Sequence, residues 1–359
     1  MSDAALEARE TLRIDPADDS PYWRGALTWV ADGEVKRPWR LPPERARRAH
    51  APGLILVAQM AAGVRLELVT DATALRLPLT FDYETAGTLD ILVDGQLAER
   101  VELAPGAHTL SHDLPAGGHE VQIWLPQVGR TGVGTLALDG ASHADPLPAR
   151  PRWITYGSSI SQCSAAAGPS ETWPAIVARR LGWDLVCLGM SGQCHLDPIV
   201  LRTIAALPAD VISLCLGINM HNAGSFNERS FAPQASGFIE AVRDAHPGIP
   251  MAVITPIASP ERETTASTAG LDLTWMRAAL QEVVDVLAED DSALHLINGP
   301  AVLGPDQAHL LPDGLHPDAE GYHLMGERLT ERLSALVCGP ARLVPTTTAA
   351  RGERRHEGK

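Results

Sequence analysis

The sequence predicts an α/β protein built in two parts: an antiparallel β-sandwich, then a parallel sheet covered by helices. Three features predict it. Residues 54–138 read as short β segments, punctuated by Gly, Pro and Asp at intervals of roughly 8–12 residues, as in a sandwich or barrel. A proline-rich stretch at 144–151 then marks a boundary. Beyond it β and α segments alternate, the pattern of a parallel sheet with helices on both faces.

Taken in order, the clearest strands of the first part are 54–57, 64–69, 75–79, 88–93, 99–103 and 120–125. The last of these, Glu120-Val121-Gln122-Ile123-Trp124-Leu125, alternates polar and apolar residues as a half-buried antiparallel strand should. Val93-Asp94-Gly95-Gln96 signals a hairpin, because Asp-Gly supplies the positive φ angles of a tight turn. No catalytic constellation occurs here. In the second part, strands are expected at 152–156, 183–188, 210–216, 250–255 and 293–297. Helices are expected at 171–181, 198–207, 231–245, 271–288 and 319–336. The expected division is a sandwich at 1–148, an α/β part at 149–338 and a frayed tail at 339–359. Loops leaving the carboxyl ends of parallel strands are where ligands and catalytic groups gather.

Composition narrows the function classes. A chain of 359 residues can bury a sizeable core, and 45% apolar against 20% charged residues excludes wholesale disorder. With 29 basic and 44 acidic side chains the net charge is −15, which argues against nucleic acid as a partner. Lysine occurs only as Lys36 and Lys359, a bias expected of a high-GC genome rather than a functional signal. Residues 1–21 carry acids and no apolar run, and the longest apolar stretch, 53–64, is interrupted by Gln59 and too short to span a bilayer. A cytoplasmic setting without a membrane partner is the expectation. Five cysteines, Cys163, Cys187, Cys194, Cys215 and Cys338, have no CxxC spacing and read as reduced core or pocket thiols. Cys194-His195 lacks partners at ligand spacing, so no metal is expected.

Four short blocks carry chemistry, each at the end of an expected strand or just before a helix. Tyr156-Gly157-Ser158-Ser159-Ile160-Ser161 joins a glycine turn to serines that can stand exposed at the sheet edge. Leu188-Gly189-Met190-Ser191-Gly192-Gln193 has glycines that let a backbone N–H face a ligand. Leu216-Gly217-Ile218-Asn219-Met220 can offer a side-chain amide to a developing oxyanion. In Asp313-Gly314-Leu315-His316-Pro317, an Asp three residues before a His can accept the Nδ1–H and leave Nε2 free as a base. Each block alone reads equally as a turn or cap. Together, in this order, they make a complete acyl-transfer kit: nucleophile, base with its orienter, and oxyanion donors.

The blocks resemble those of the SGNH, or GDSL-type, hydrolases and acyltransferases, over about residues 152–336. The resemblance implies a flavodoxin-like three-layer α/β/α fold, here preceded by a jelly-roll-like sandwich. It implies Ser159 as nucleophile, with Ser158 the alternative, and Asp313 and His316 as acid and base. It implies an oxyanion hole from the N–H groups of Ser159 and Gly192 and the side chain of Asn219. Two positions depart from the family pattern: Ser158 stands where an aspartate is usual, and Met220 where an aspartate commonly follows the asparagine.

A sandwich ahead of such a half, with a GSS first block, is similar to members of two kinds. One is carbohydrate esterases. The other is acyltransferases of aromatic polyketide tailoring, which move a salicylyl group onto a tetracycline-type aglycone. The second is expected to suit this chain better, with a small-molecule acyl donor (acyl-CoA as candidate), a hydroxyl acceptor and no cofactor. Ser158, Met190, Cys194, Met220 and Phe226 are offered as walls for a flat aromatic substrate, with core packing as the competing reading. His195 and His221 are left outside the triad. The alternatives are an esterase with the same triad and a non-catalytic carbohydrate binder. Trp23, Trp29, Trp39 and Trp124 could stack on sugars in such a binder, against buried core tryptophans as the plainer reading.

Overall fold

The computed structural model describes residues 11–337; the expected tail at 339–359 lies outside the described residues. Up to Pro146 the chain forms two antiparallel sheets. The seven-stranded sheet runs Leu12–Ile14, Leu136–Asp139, Ala74–Asp82, Arg130–Val133, Val35–Trp39, Thr28–Asp32, with Gly106–Asp113 also paired to Ala74–Asp82. The six-stranded sheet runs Ala144–Pro146, Arg65–Thr70, His119–Trp124, Gly87–Val93, Gln96–Leu103, with Trp23–Arg24 also paired to Arg65–Thr70.

Their shared core follows from period-two alternation. In Ala74–Asp82, Leu75, Leu77, Leu79 and Phe81 are buried while Arg76 and Pro78 face solvent. Leu66, Leu68, Leu89, Ile91, Val121 and Ile123 meet them from the six-stranded sheet. The Asp94-Gly95 hairpin forms with φ of 49° and 75°, the left-handed pair that a two-residue turn needs.

The outer face of the six-stranded sheet departs from expectation. It is covered rather than solvated: Arg65, Glu67, Asp90, Leu92, Gln122 and Trp124 all point away from the sandwich core and are buried. Leu92 and Trp124 belong to the same core as the second half of the chain. The tryptophans offered for sugar stacking are likewise unavailable. Trp23, Trp29 and Trp124 are buried, Trp23 and Trp29 edge to face at 5.2 Å and Trp124 donating to Gln122 Oε1 at 2.8 Å, and Trp39 is half-buried against the core. One segment has the other secondary structure: the expected strand at 54–57 lies in a helix, Pro52–Ala58. Proline sits at its first position, and Leu54, Val57 and Ala58 bury one face at i, i+3 and i+4.

After Pro146 comes a five-stranded, all-parallel sheet of Arg152–Gly157, Asp184–Gly189, Val211–Cys215, Met251–Ile254 and Leu294–Ile297. Numbered along the chain, its order is 2-1-3-4-5. Asp184–Gly189 and Met251–Ile254 are buried along their whole length, as expected of a sheet covered on both faces. Helices Trp173–Leu181 and Ala319–Val337 pack on each other; Pro198–Ala206, Phe231–Ala245 and Leu273–Ala288 form a second packed group. The chain reverses its direction of travel after the second strand, which leaves a crevice at the carboxyl ends of the first and third.

Candidate active site

The first parallel strand ends at Gly157, where a Cβ would collide with the Ser161 side chain and lie 3.0 Å from Cys215 Cβ; only glycine fits. The chain then turns into a single helical turn, Ser159–Gln162. Ser158 is its N-cap: buried, extended at φ −86°, with Oγ accepting the Ile160 N–H at 3.1 Å. That bond separates the two serines. The Ser158 hydroxyl is committed to the helix start, while Ser159, half-buried at the first helical position, is free to turn outward. As a first-turn residue it also has an N–H without an intrahelical partner.

Ser159 Oγ lies 2.8 Å from His316 Nε2, and His316 Nδ1 lies 2.7 Å from Asp313 Oδ2. The other carboxylate oxygen accepts the N–H groups of Leu315 at 2.9 Å and His316 at 2.6 Å. Partial burial pushes the Asp313 carboxyl up, but the bonds from the His316 ring and the two backbone N–H groups outweigh it and bring it down to about 2. An ionised carboxylate only accepts, so Nδ1 carries the proton and Nε2 is left to receive one from Ser159. Gly314, at φ 71°, lets the loop close on itself, and its carbonyl accepts the Ser259 hydroxyl at 2.6 Å. Arg262 donates to Ser259 Oγ at 3.1 Å and to Asn222 Oδ1 at 3.0 Å. This brace was not legible in the sequence, where neither Ser259 nor Arg262 belongs to one of the four blocks.

Asn219 sits in the first turn of Ile218–Ala223, after the third strand. The turn needs Gly217, which has φ 122° and would place a Cβ 2.6 Å from Pro256. Asn219 is buried, and its Oδ1 accepts the Cys194 N–H at 3.1 Å, so the amide is oriented with its NH₂ donors directed elsewhere. Gly192 lies in the turn Ser191–Gln193 after the second strand, exposed, with open space where a Cβ would stand. Its carbonyl accepts from His195 Nε2 at 3.1 Å, and Ser225 Oγ bonds the other ring nitrogen at 2.8 Å. His221 is buried, donating from Nε2 to the Thr265 carbonyl at 3.0 Å. His195 braces a loop and His221 ties the Ile218–Ala223 helix to the Thr265 loop, both outside the Ser159–His316–Asp313 chain.

The residues offered as substrate walls are placed differently. Met190 (0% exposed), Cys194 (1%) and Met220 (1%) pack into the core, and Ser158 is consumed by its cap; Phe226 alone is half-buried at the surface. Burial pushes the Cys194 thiol up, and that of Cys215 up to about 12, so both stay neutral thiols. A cavity of about 30 Å³ lies under the Ser159 turn, bounded by Ser158, Ile160, Trp173, Ile218, Ile257 and Met325, with room for about one water. Among the described residues, no group of three or more His, Cys, Asp or Glu could hold a metal ion, and no helix is long and apolar enough to cross a membrane.

The GDSL-like Lipase/Acylhydrolase family model matches residues 151–333, from the first parallel strand into the last helix. No curated protein sequence matches. Among solved structures, the chain is similar to the salicylyl-acyltransferase SsfX3 from a tetracycline biosynthetic pathway: 31% identity, TM-score 0.84, covering 94% of this chain and 100% of that one. It shares its fold with a Bacteroides ovatus protein described as a GDSL-like lipase, at 20% identity and TM-score 0.72, covering 91% and 98%. It also shares the fold of a family two carbohydrate esterase from Clostridium thermocellum, determined in complex with cellohexaose, at 17% identity and TM-score 0.59, covering 77% and 94%.

Proposed function

Because this chain belongs to the GDSL-like lipase/acylhydrolase family, an enzyme of the acyltransferase or esterase kind with a serine nucleophile, we propose that Ser159 is that serine and that it transfers acyl groups. The observation that carries the reading is the unbroken chain Ser159 Oγ–His316–Asp313, at 2.8 and 2.7 Å. His316 Nε2 takes the Ser159 proton as Oγ bonds to an ester or thioester carbonyl carbon. The carbonyl oxygen becomes anionic and is met by the N–H groups of Ser159 and Gly192 and the NH₂ of Asn219. Collapse breaks the bond to the leaving group, which departs with the proton from His316 and leaves an acyl-Ser159 ester. His316 then takes the proton of an incoming hydroxyl, whose oxygen bonds to the acyl carbon, and returns it to Ser159.

The finer reading is an acyltransferase that moves an acyl group, aromatic in the favoured case, from acyl-CoA to a hydroxyl of a polyketide-like acceptor. Identity of 31% with a salicylyl-acyltransferase over nearly the whole chain supports it. A cytoplasmic setting goes with that donor. The 30 Å³ cavity is too small for a ring, so such an acyl group would lie on the open side of Ser159. The same reading takes residues 1–148 as a jelly-roll-like sandwich and 149–338 as a flavodoxin-like three-layer part, supported by the two antiparallel sheets and the 2-1-3-4-5 order.

Hydrolysis of sugar or small esters is the second reading. It is favoured by the exposure of the base side, where the Asp313 side chain is 55% and that of His316 31% accessible, so water reaches the acyl-enzyme. Acyl-CoA thioesters supplied with and without a polyketide-like hydroxyl acceptor separate the two. Mass spectrometry should find the acyl group on the acceptor; free acid alone, with rapid deacylation of sugar esters, would establish the esterase.

A further inference from the structure

The second parallel strand, Asp184–Gly189, is the edge of its sheet: it pairs with Arg152–Gly157 on one side only. An unpaired edge leaves every second carbonyl pointing outward, buried here without water to satisfy it. Two buried arginines of the first half occupy those carbonyls in sequence. Arg65 donates to Leu185 O at 3.1 Å, and Arg40 donates to Cys187 O at 3.2 Å and Gly189 O at 2.5 Å. Two guanidinium groups thus stand where a sixth strand would.

The two arms are not equivalent. Arg65, at the end of the strand remote from the serine turn, has carboxylate partners in Glu67 at 2.7 Å and Asp184 at 2.9 Å. Arg40 is 0% exposed, and no carboxylate lies within ion-pair distance of it among the described residues. Its remaining bonds go to Met60 O at 2.6 Å, Val57 O at 2.8 Å and Gln162 Oε1 at 3.3 Å. Gln162 is the last residue of the Ser159 turn and is itself held by the Gln127 carbonyl at 3.0 Å. Gly189 and that turn are in direct backbone contact: a Cβ on Gly189 would come 2.5 Å from Gln162 N. One rigid planar group therefore bridges, from behind, the strand end that leads to Gly192 and the turn that carries Ser159. A cation held only by neutral groups is costly in a core and is here spent at one place, between the two backbone elements of the oxyanion hole.

We propose that Arg40 is a positioning residue for catalysis: it fixes the spacing between the Ser159 turn and the Gly189–Gly192 turn. This rests on the acyl-transfer reading of the site. Burial brings the Arg40 guanidinium down to about 10, against a smaller opposing effect of Cys187, and leaves it a cation at neutral pH.

The test uses the full-length enzyme, p-nitrophenyl acetate as acyl donor in rapid-mixing kinetics, and a fluorophosphonate probe that labels the nucleophile. Arg40→Lys keeps the charge and loses the fork; Arg40→Met loses both. For variants with native thermal melts, acylation should slow about tenfold in Arg40→Lys and about 10²-fold in Arg40→Met, with KM within about twofold. Arg65→Lys, at the other end of the same edge, should lower the melting temperature and leave the acylation rate unchanged. Folded Arg40 variants that acylate at the wild-type rate would overturn the inference, as would an Arg65→Lys enzyme slowed as much as Arg40→Lys. Should the Arg40 variants fail to fold, Gln162→Met releases the arm on the serine turn, together with that side chain's bond to the Gln127 carbonyl, and leaves Arg40 on its strand carbonyls. Acylation slowed by about tenfold then supports the inference, and an unchanged rate overturns it. A wild-type enzyme that takes no probe on Ser159 would overturn the acyl-transfer reading itself; a labelled wild type with unaffected Arg40 variants would overturn this inference alone.

Discussion

Replacing Asp313 by Asn tests the hydrogen-bonded chain at its outer end. In the proposed mechanism the carboxylate does two things: it pairs with the imidazolium that forms during attack, and it fixes the proton on Nδ1 at 2.7 Å. The first is modest here. Asp313 is 55% exposed, and pairs that open to water are worth about 1 kcal/mol or less, roughly a fivefold change in rate. The second is larger. An Asn whose oxygen keeps the N–H bonds of Leu315 and His316 would turn its NH₂ toward Nδ1, which must then accept. The imidazole proton moves to Nε2, and Ser159 loses its base. Loss of the correct tautomer costs about 10⁴-fold in acylation, near 5 kcal/mol of barrier. The assay is the p-nitrophenol burst from p-nitrophenyl acetate, with thermal melts beside it. The melts carry a pH signature. Asp313 falls from an ordinary value of 3.8 to about 2 in the folded protein, so its contribution to stability is present above pH 4 and lost as pH falls toward 2. The gap in melting temperature between wild type and Asp313→Asn should close over that window. A folded Asp313→Asn enzyme acylating within tenfold of wild type would refute the assigned roles.

Ser159→Ala should abolish acyl-enzyme formation with the fold intact, whereas Ser158→Ala should keep the nucleophile and lose about 1 kcal/mol of stability with the N-cap. An inactive Ser158→Ala beside an active Ser159→Ala would move the nucleophile by one residue. Asn219→Ala should lower kcat by about 10²–10³-fold with little change in KM, measured on the same ester. A KM effect alone would make Asn219 a substrate-binding group. Gly157→Ala should destabilise by about 1–3 kcal/mol in chemical denaturation, because the new methyl meets Ser161 and Cys215; an unchanged midpoint would show that the turn relaxes.

The parts of this fold that could be read from sequence are those whose causes are local. Asp94-Gly95 encodes its turn by backbone sterics, and Asp313 with His316 encodes a loop by spacing and hydrogen bonds alone. Glycines 157, 189 and 217 announce close approach because no other residue fits. What was illegible has tertiary causes. Residues 54–57 are too few to distinguish period 2 from 3.6, and packing against the second half decides for helix. Gly106–Asp113 buries only Leu110, so it carries no alternation and becomes a strand through its partner, Ala74–Asp82. Gln122 reads as part of a solvated face because the cover over its sheet lies far along the chain, as the Arg65–Asp184 and Arg150–Glu67 pairs show, 119 and 83 residues apart. The same distance hides Arg40, a core residue of a type that usually marks a surface.

Burial divides the site into two unequal sides. The side proposed as the oxyanion hole is braced: Asn219 is buried and oriented by Cys194 N–H, and the second strand end is held through Gly189. The base side is open, with His316 31% and Asp313 55% accessible. Electrostatic stabilisation of a tetrahedral oxyanion depends steeply on donor placement, whereas proton transfer along an existing hydrogen bond tolerates solvent beside it. In the proposed mechanism the braced side serves acylation whatever the acyl group, and it does not choose between water and an alcohol in deacylation. That choice needs a surface that binds the acceptor and sheds water at the exposed imidazole. The residues available for it are the half-buried Phe226, His195 with its Ser225 partner, and the Arg262–Asn222–Ser259 brace behind His316. Substitutions there should alter the ratio of transfer to hydrolysis while the rate of acyl-enzyme formation stays the same, and substitutions on the oxyanion side should do the reverse.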